Sequence, residues 1–172
     1  MGTSAEVWLN LQNTYNQKLI EIQQAKDFDA QKELAKEIDY KYFVDVIGLP
    51  PARNISDKVA SLCKFFRVSD LRIMLQPDFL VSFRSSLTSS SEKNVINSRA
   101  WIQTAMNISV NIETSPYNAE KLKEYLPELR GMTIKKPEEF LPRMKEIFKE
   151  CGIAFVLLPH LKNSGVNGAV KW

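Results

Sequence analysis

The sequence is 172 residues long, 44% hydrophobic and 25% charged, with a formal net charge of +3, which fits an ordinary soluble globular protein of one domain or two small ones. No apolar run approaches the roughly 18–20 residues of a membrane-spanning helix, and the polar start MGTSAEVWLN lacks the basic and apolar regions of a signal peptide. The expectation is a cytoplasmic protein without membrane partners. Cys63 and Cys151 are isolated from each other inside apolar helical patterns and read as reduced core thiols. In such a chain the sequons Asn54-Ile-Ser56 and Asn107-Ile-Ser109 carry no weight.

In chain order, Thr3-Ser4-Ala5-Glu6 has the spacing of a capping box and predicts a helix start with Thr3 as the cap. Trp8, Leu11, Tyr15, Leu19 and Ile22 follow at steps of three and four, one face of a helix. Leu34, Ile38, Tyr42 and Val46 form a second apolar stripe, closed by Gly48 and Pro50-Pro51. Two helices are expected here, separated by a turn at Asp27 to Asp29.

A third helix is expected from about Ser56 to Phe66, with Val59, Leu62, Cys63 and Phe66 on its inner face. Ser69 should cap a short one that ends before Gln76-Pro77. Arg53 to Arg72 holds five basic and two acidic residues, a net +3 that equals the charge of the whole chain. It reads as a solvated helix surface, with nucleic acid or an acidic partner as the alternative.

The serine-rich SSLTSSSEK, residues 85 to 93, is the linker candidate. Beyond it, a helix from Ser91 to Met106 should bury Val95, Trp101, Ile102, Ala105 and Met106. Asn118 can cap the next, which bears Leu122, Tyr125, Leu126 and Leu129. In PEEFLPRMKEIFKECG acidic residues lead, lysines follow and Gly152 closes the helix. Pro142 must lie in the first turn or kink the chain, which predicts a start near Glu139. The apolar run Ile153 to Leu158 reads as a strand covered on both faces, with GAVKW as its one available neighbour. The fold class is therefore mainly α, helical hairpins or a bundle, with a small C-terminal α+β fragment of one or two strands. A doubly covered strand with so little sheet around it suggests the middle of a longer protein.

No catalytic, cofactor-binding or metal-ligating residue is assigned. His160 is the one histidine, and one His with two distant Cys does not make a zinc site. Glu138-Glu139 and Lys135-Lys136 read as helix-entry charges, because adjacent residues on a helix do not face each other. There is no phosphate loop and no nucleophile elbow. The aromatic residues fall at core spacings rather than forming a stacking platform for bases. LCKFFRVSDLRIM, residues 62 to 74, has the outline of a helix-turn-helix, but its second helix would hold one basic side chain, Arg72. A plain helix hairpin is the better reading.

Three stretches in order resemble one family. GTSAEVWLNLQNTY, residues 2 to 15, resembles the segment closing the helix-turn-helix domain of HigA-type antitoxins of the XRE class. ISDKVASLCKFFRVSDL, residues 55 to 71, with RAWIQTAM, residues 99 to 106, resembles the helical linker of regulators that end in an ImmA/IrrE-type metallopeptidase domain. LPELRGMT, PEEFLPRMKEIFKECGIAFVLLPHL and NGAVKW, residues 126 to 133, 137 to 161 and 167 to 172, resemble the opening of that domain.

The resemblance implies three segments: 1–24 as the closing helix of a helix-turn-helix domain, 25–116 as a helical linker, and 117–172 as the start of a peptidase domain. It further implies that the DNA-reading helices precede the position matching Gly2, and that the zinc-binding His-Glu-x-x-His helix follows the position matching Trp172. The expected function is that of a linker and dimerisation region in a transcriptional regulator of the toxin–antitoxin or repressor kind. A homodimer is expected, with a toxin or regulator protein as a further partner. The alternative is a support segment of a zinc endopeptidase that cleaves a regulator. In both, zinc and DNA belong to the parent protein and not to these residues.

Overall fold

The computed structural model describes residues 4–76, 82–85 (backbone), 91–132, 134 and 136–171. The fold is mainly α: α1 (Ala5–Glu37), a short α2 (Tyr40–Tyr42) that widens into a π-helical turn (Phe43–Ile47), α3 (Ile55–Phe66), a 3₁₀ turn (Leu71–Leu75), α4 (Glu92–Ser109), α5 (Ala119–Met132) and α6 (Pro137–Glu150). Two strands, β1 (Ser82–Ser85) and β2 (Val166–Val170), form an antiparallel ribbon with a register shift between Arg84 and Ser85. The chain divides into two compact units, Met1–Ala100 with Leu161–Trp172, and Trp101–His160, and the division falls inside α4. This is a different partition from the segments 1–24, 25–116 and 117–172.

The expected turn at Asp27 to Asp29 does not form: α1 runs unbroken for 33 residues. Asp-Phe-Asp contains neither Pro nor Gly, and the side chains are used along the helix, Gln23 donating to Asp27 (2.9 Å) and Lys32 pairing with Asp29 (2.9 Å). Ser4 is the N-cap, its Oγ accepting from the Val7 amide (3.4 Å); Thr3 lies outside the described residues.

In the first unit, α3 is capped by Asn54, which accepts from the Asp57 amide (2.8 Å), and buries Val59, Leu62 and Phe66 as expected; Cys63 is half-buried. Tyr42, Phe43, Phe65 and Phe66 meet edge to face, with centroids 5.2–5.7 Å apart, the arrangement that ring quadrupoles favour. The cap of the 3₁₀ turn is Asp70, which accepts from the Arg72 amide (2.8 Å), rather than Ser69. The core face of α4 is rotated from the expected one: Ile96, Asn97, Ala100, Ile102 and Thr104 are buried, while Val95, Trp101, Ala105 and Met106 are half-buried. The middle of the serine linker, residues 86–90, lies outside the described residues.

In the second unit, Asn118 caps α5 by accepting from the Lys121 amide (2.9 Å). Met132, Ile147 and Cys151 form its core, with Leu122, Tyr125, Leu129, Phe140, Met144 and Ile153 around them. Helix α6 begins at Pro137 instead of near Glu139, because proline at the first position loses no hydrogen bond and is preset for helix. Pro142 therefore sits in the second turn, where it withholds the N–H that the Glu138 carbonyl would accept. Gly152 closes α6 in the left-handed region (φ 80°), and the Ile153 amide donates back to Phe148 (2.8 Å). A Cβ on Gly152 would stand 2.4 Å from the Tyr117 backbone, so glycine is required.

The apolar run Ile153 to Leu158 is not a strand. Two of its side chains find cover in the α5–α6 unit instead: Ile153 joins the core cluster and Phe155 lies against Phe148 of α6 at 5.2 Å, while Leu157 is exposed. An apolar run signals burial, which a helix surface supplies without a ladder. The GAVKW segment is largely β2, paired with β1.

Candidate interaction surface

Along α1, apolarity and burial part company. Leu34 and Ala35 are buried, but Trp8, Leu11, Tyr15, Leu19 and Ile22 are all exposed, from 47% at Leu19 to 62% at Trp8. At 3.6 residues per turn these five span about 80° of the helix circumference. Gln31, Leu34 and Ala35 lie roughly 150° around from them by the same geometry. The stripe is thus no continuation of the face that packs against α3 and the 3₁₀ turn. Continuing along it past Ile22, the next positions are the charged Lys26, Asp29 and Glu33. Large exposed apolar stripes of this kind mark contact surfaces.

The other end of α1 is fastened. Gln31 Oε1 accepts from the Leu71 amide (3.2 Å), and Arg72 donates to Asp27 (2.9 Å) and to Asp70 (2.8 Å). Burial raises the Asp70 carboxyl pKa, but the hydrogen bonds from Arg72 outweigh it and hold the group below its ordinary value. Where α1 stops, Asn97 of α4 donates to the Glu37 carbonyl (2.8 Å) and accepts from the Asp39 amide (3.4 Å). Lys58 donates to the Ile38 carbonyl (2.8 Å). Nothing in the periodicity announces Asn97; its one signal is an amide side chain beside the apolar positions Ile96 and Ala100.

The residues weighed for chemistry do not converge. His160 is exposed in an irregular segment, and Glu138 and Glu139 are exposed in the first turn of α6; Lys135 lies outside the described residues. Cys63 and Cys151 are free thiols, and burial raises the pKa of both. Among the described residues no group of three His, Cys, Asp or Glu side chains is placed to hold a metal ion. In the stretch 62–74 the second element is the five-residue 3₁₀ turn; Leu71 and Met74 are buried and Arg72 is held by two carboxylates. No described helix is long and apolar enough to cross a membrane. An ionic group that periodicity did not announce joins α5 to α6: Glu150 takes Tyr125 (2.9 Å) and Lys121 (3.0 Å), and Arg143 holds Glu128 (2.8 Å) while lying over the Tyr125 ring.

No protein family, curated protein or solved structure matches the chain.

Proposed function

We propose that this chain is the helical linker and self-association region of a cytoplasmic transcriptional regulator related to XRE/HigA-type antitoxins. The observation that supports it is the coincidence of two features on one segment. Residues 2 to 15, whose sequence resembles those antitoxins most specifically, carry Trp8, Leu11 and Tyr15, three of the five exposed apolar side chains of α1. In this reading α1 joins two copies into a homodimer, and a toxin or regulator protein is a further partner. The DNA-reading helices of the family correspond to no residues of this chain. Light scattering of the full chain at micromolar concentration should give twice the monomer mass of 19.7 kDa. A monomer mass would sink the self-association.

A second reading is favoured by residues 126 to 161, which resemble the opening of an ImmA/IrrE-type zinc peptidase. There the α5–α6 hairpin supports a catalytic helix, and zinc is held by that helix. Sequencing the coding DNA on both sides of the segment separates the two readings. A His-Glu-x-x-His motif downstream without an upstream helix-turn-helix favours the peptidase, and the reverse favours the regulator.

A further inference from the structure

The exposed stripe of α1 reads the same in both directions. Counted from Tyr15, Leu11 and Leu19 stand four residues away on either side, and Trp8 and Ile22 stand seven away. We propose that two copies of this chain pair through α1 in antiparallel orientation, about a two-fold axis at Tyr15, an inference that rests on the homodimer reading above.

Helices that meet along a seam, in either orientation, have apolar residues alternating at steps of three and four. From Trp8 that alternation runs through Leu11 and Tyr15 and then falls on Lys18, whose Nζ is paired with Glu21 at 2.7 Å. The actual spacing of three, four, four and three departs from that alternation once and is symmetric about Tyr15, as a two-fold axis there requires. It sets Trp8 against the partner's Ile22, Leu11 against the partner's Leu19, and Tyr15 against the partner's Tyr15, so each large side chain meets another apolar one.

The charges beyond the stripe favour the same orientation. In a parallel pair Lys26, Asp29 and Glu33 would each face its own copy, and like charges at contact destabilise. In the antiparallel pair the partner's Ala5, its first helical residue, lies opposite Ala25, so the partner's helix ends before all three charges and before the fastened part of α1. Antiparallel helix dipoles also attract where parallel ones repel. Size is adequate. Aromatic side chains cover about 150–250 Å² each, so two copies of Trp8 and Tyr15 with six aliphatic side chains approach the roughly 1,000 Å² that a specific interface requires.

The test uses the full chain with Cys63→Ala and Cys151→Ala, checked for dimer mass, and a nitroxide placed at Gln17→Cys or at Gln24→Cys. Both positions lie opposite the stripe. With a rise of 1.5 Å per residue, antiparallel pairing offsets the two labels along the axis by about 6 Å at 17 and about 27 Å at 24. The measured separation should therefore be roughly 10 Å longer at 24 for helices packed 8–10 Å apart. Equal separations at both sites mean a parallel pair and overturn this inference while leaving the dimer. A dimer with no resolvable separation at either site associates elsewhere and also overturns it. A monomer mass removes both the inference and the reading it rests on. Tyr15→Glu, at an exposed position, should give a folded monomer; a dimer of unchanged mass counts against the dyad.

Discussion

From Asp27 to Glu37, α1 is held by Leu34 and Ala35 in the core, by Gln31 and Arg72, and by Asn97 at its last carbonyl; from Ala5 to Lys26 the same helix exposes a tryptophan, a tyrosine and several aliphatic side chains. The held end is polar apart from its few core positions, and the exposed end is the more apolar of the two. In proteins most helical stability comes from packing an apolar face rather than from propensity. The difference teaches that the stripe of α1 contributes nothing to this chain's own core, whereas Leu34 stabilises the fold from within it.

The strongest way to break the comparison is to truncate one side chain at each end. Leu34→Ala should cost about 2–5 kcal/mol, as buried Leu truncations do, in urea denaturation. Leu11→Ala should cost nothing at submicromolar concentration and should lower the midpoint only where the dimer is populated. Equal costs at both ends would erase the distinction. A smaller effect is expected at the join: Asn97→Ala removes a part-buried hydrogen bond to the Glu37 carbonyl, a loss of about 1 kcal/mol, read by the same denaturation.

The smallest effect sharpens the electrostatics of the held end. Asp70 has a lowered pKa in the folded chain, so it contributes stability above its unfolded value of about 3.9 and loses that contribution as pH falls through the lower folded value. Urea midpoints measured between pH 6 and pH 2 should decline below about pH 4, and Arg72→Gln should make that decline shallower. An unchanged profile would show that Arg72 does not set the titration.

Helix positions were legible wherever the local chemistry is self-contained. Asn118 as a cap, Gly48 and Gly152 as stops and the Val59, Leu62, Phe66 face follow from neighbours in the chain. What was illegible depends on distant groups. The face of α4 is turned because Asn97 must reach the end of α1, 60 residues away. Ile153 and Phe155 pack on α6 and the core beside it rather than in a sheet, and β1 was missed because its partner, β2, lies more than eighty residues on. The candidate surface was half visible: periodicity located the stripe on α1, but a core stripe and an exposed stripe have the same spacing, and only the structure shows that this one is exposed.

The joint made by Asn97, Lys58 and the Arg72 bridge grips α1 near one end and leaves about 22 residues projecting, an arm of roughly 33 Å at 1.5 Å per residue. Such an arm is a lever with its fulcrum in the core. A tilt of about 10° at the joint sweeps the tip through roughly 6 Å over that length, more than the width of one side-chain contact. Packing at the fulcrum and position at the tip are therefore mechanically coupled, and a small repacking around Asn97 displaces Trp8 by more than it moves Leu34.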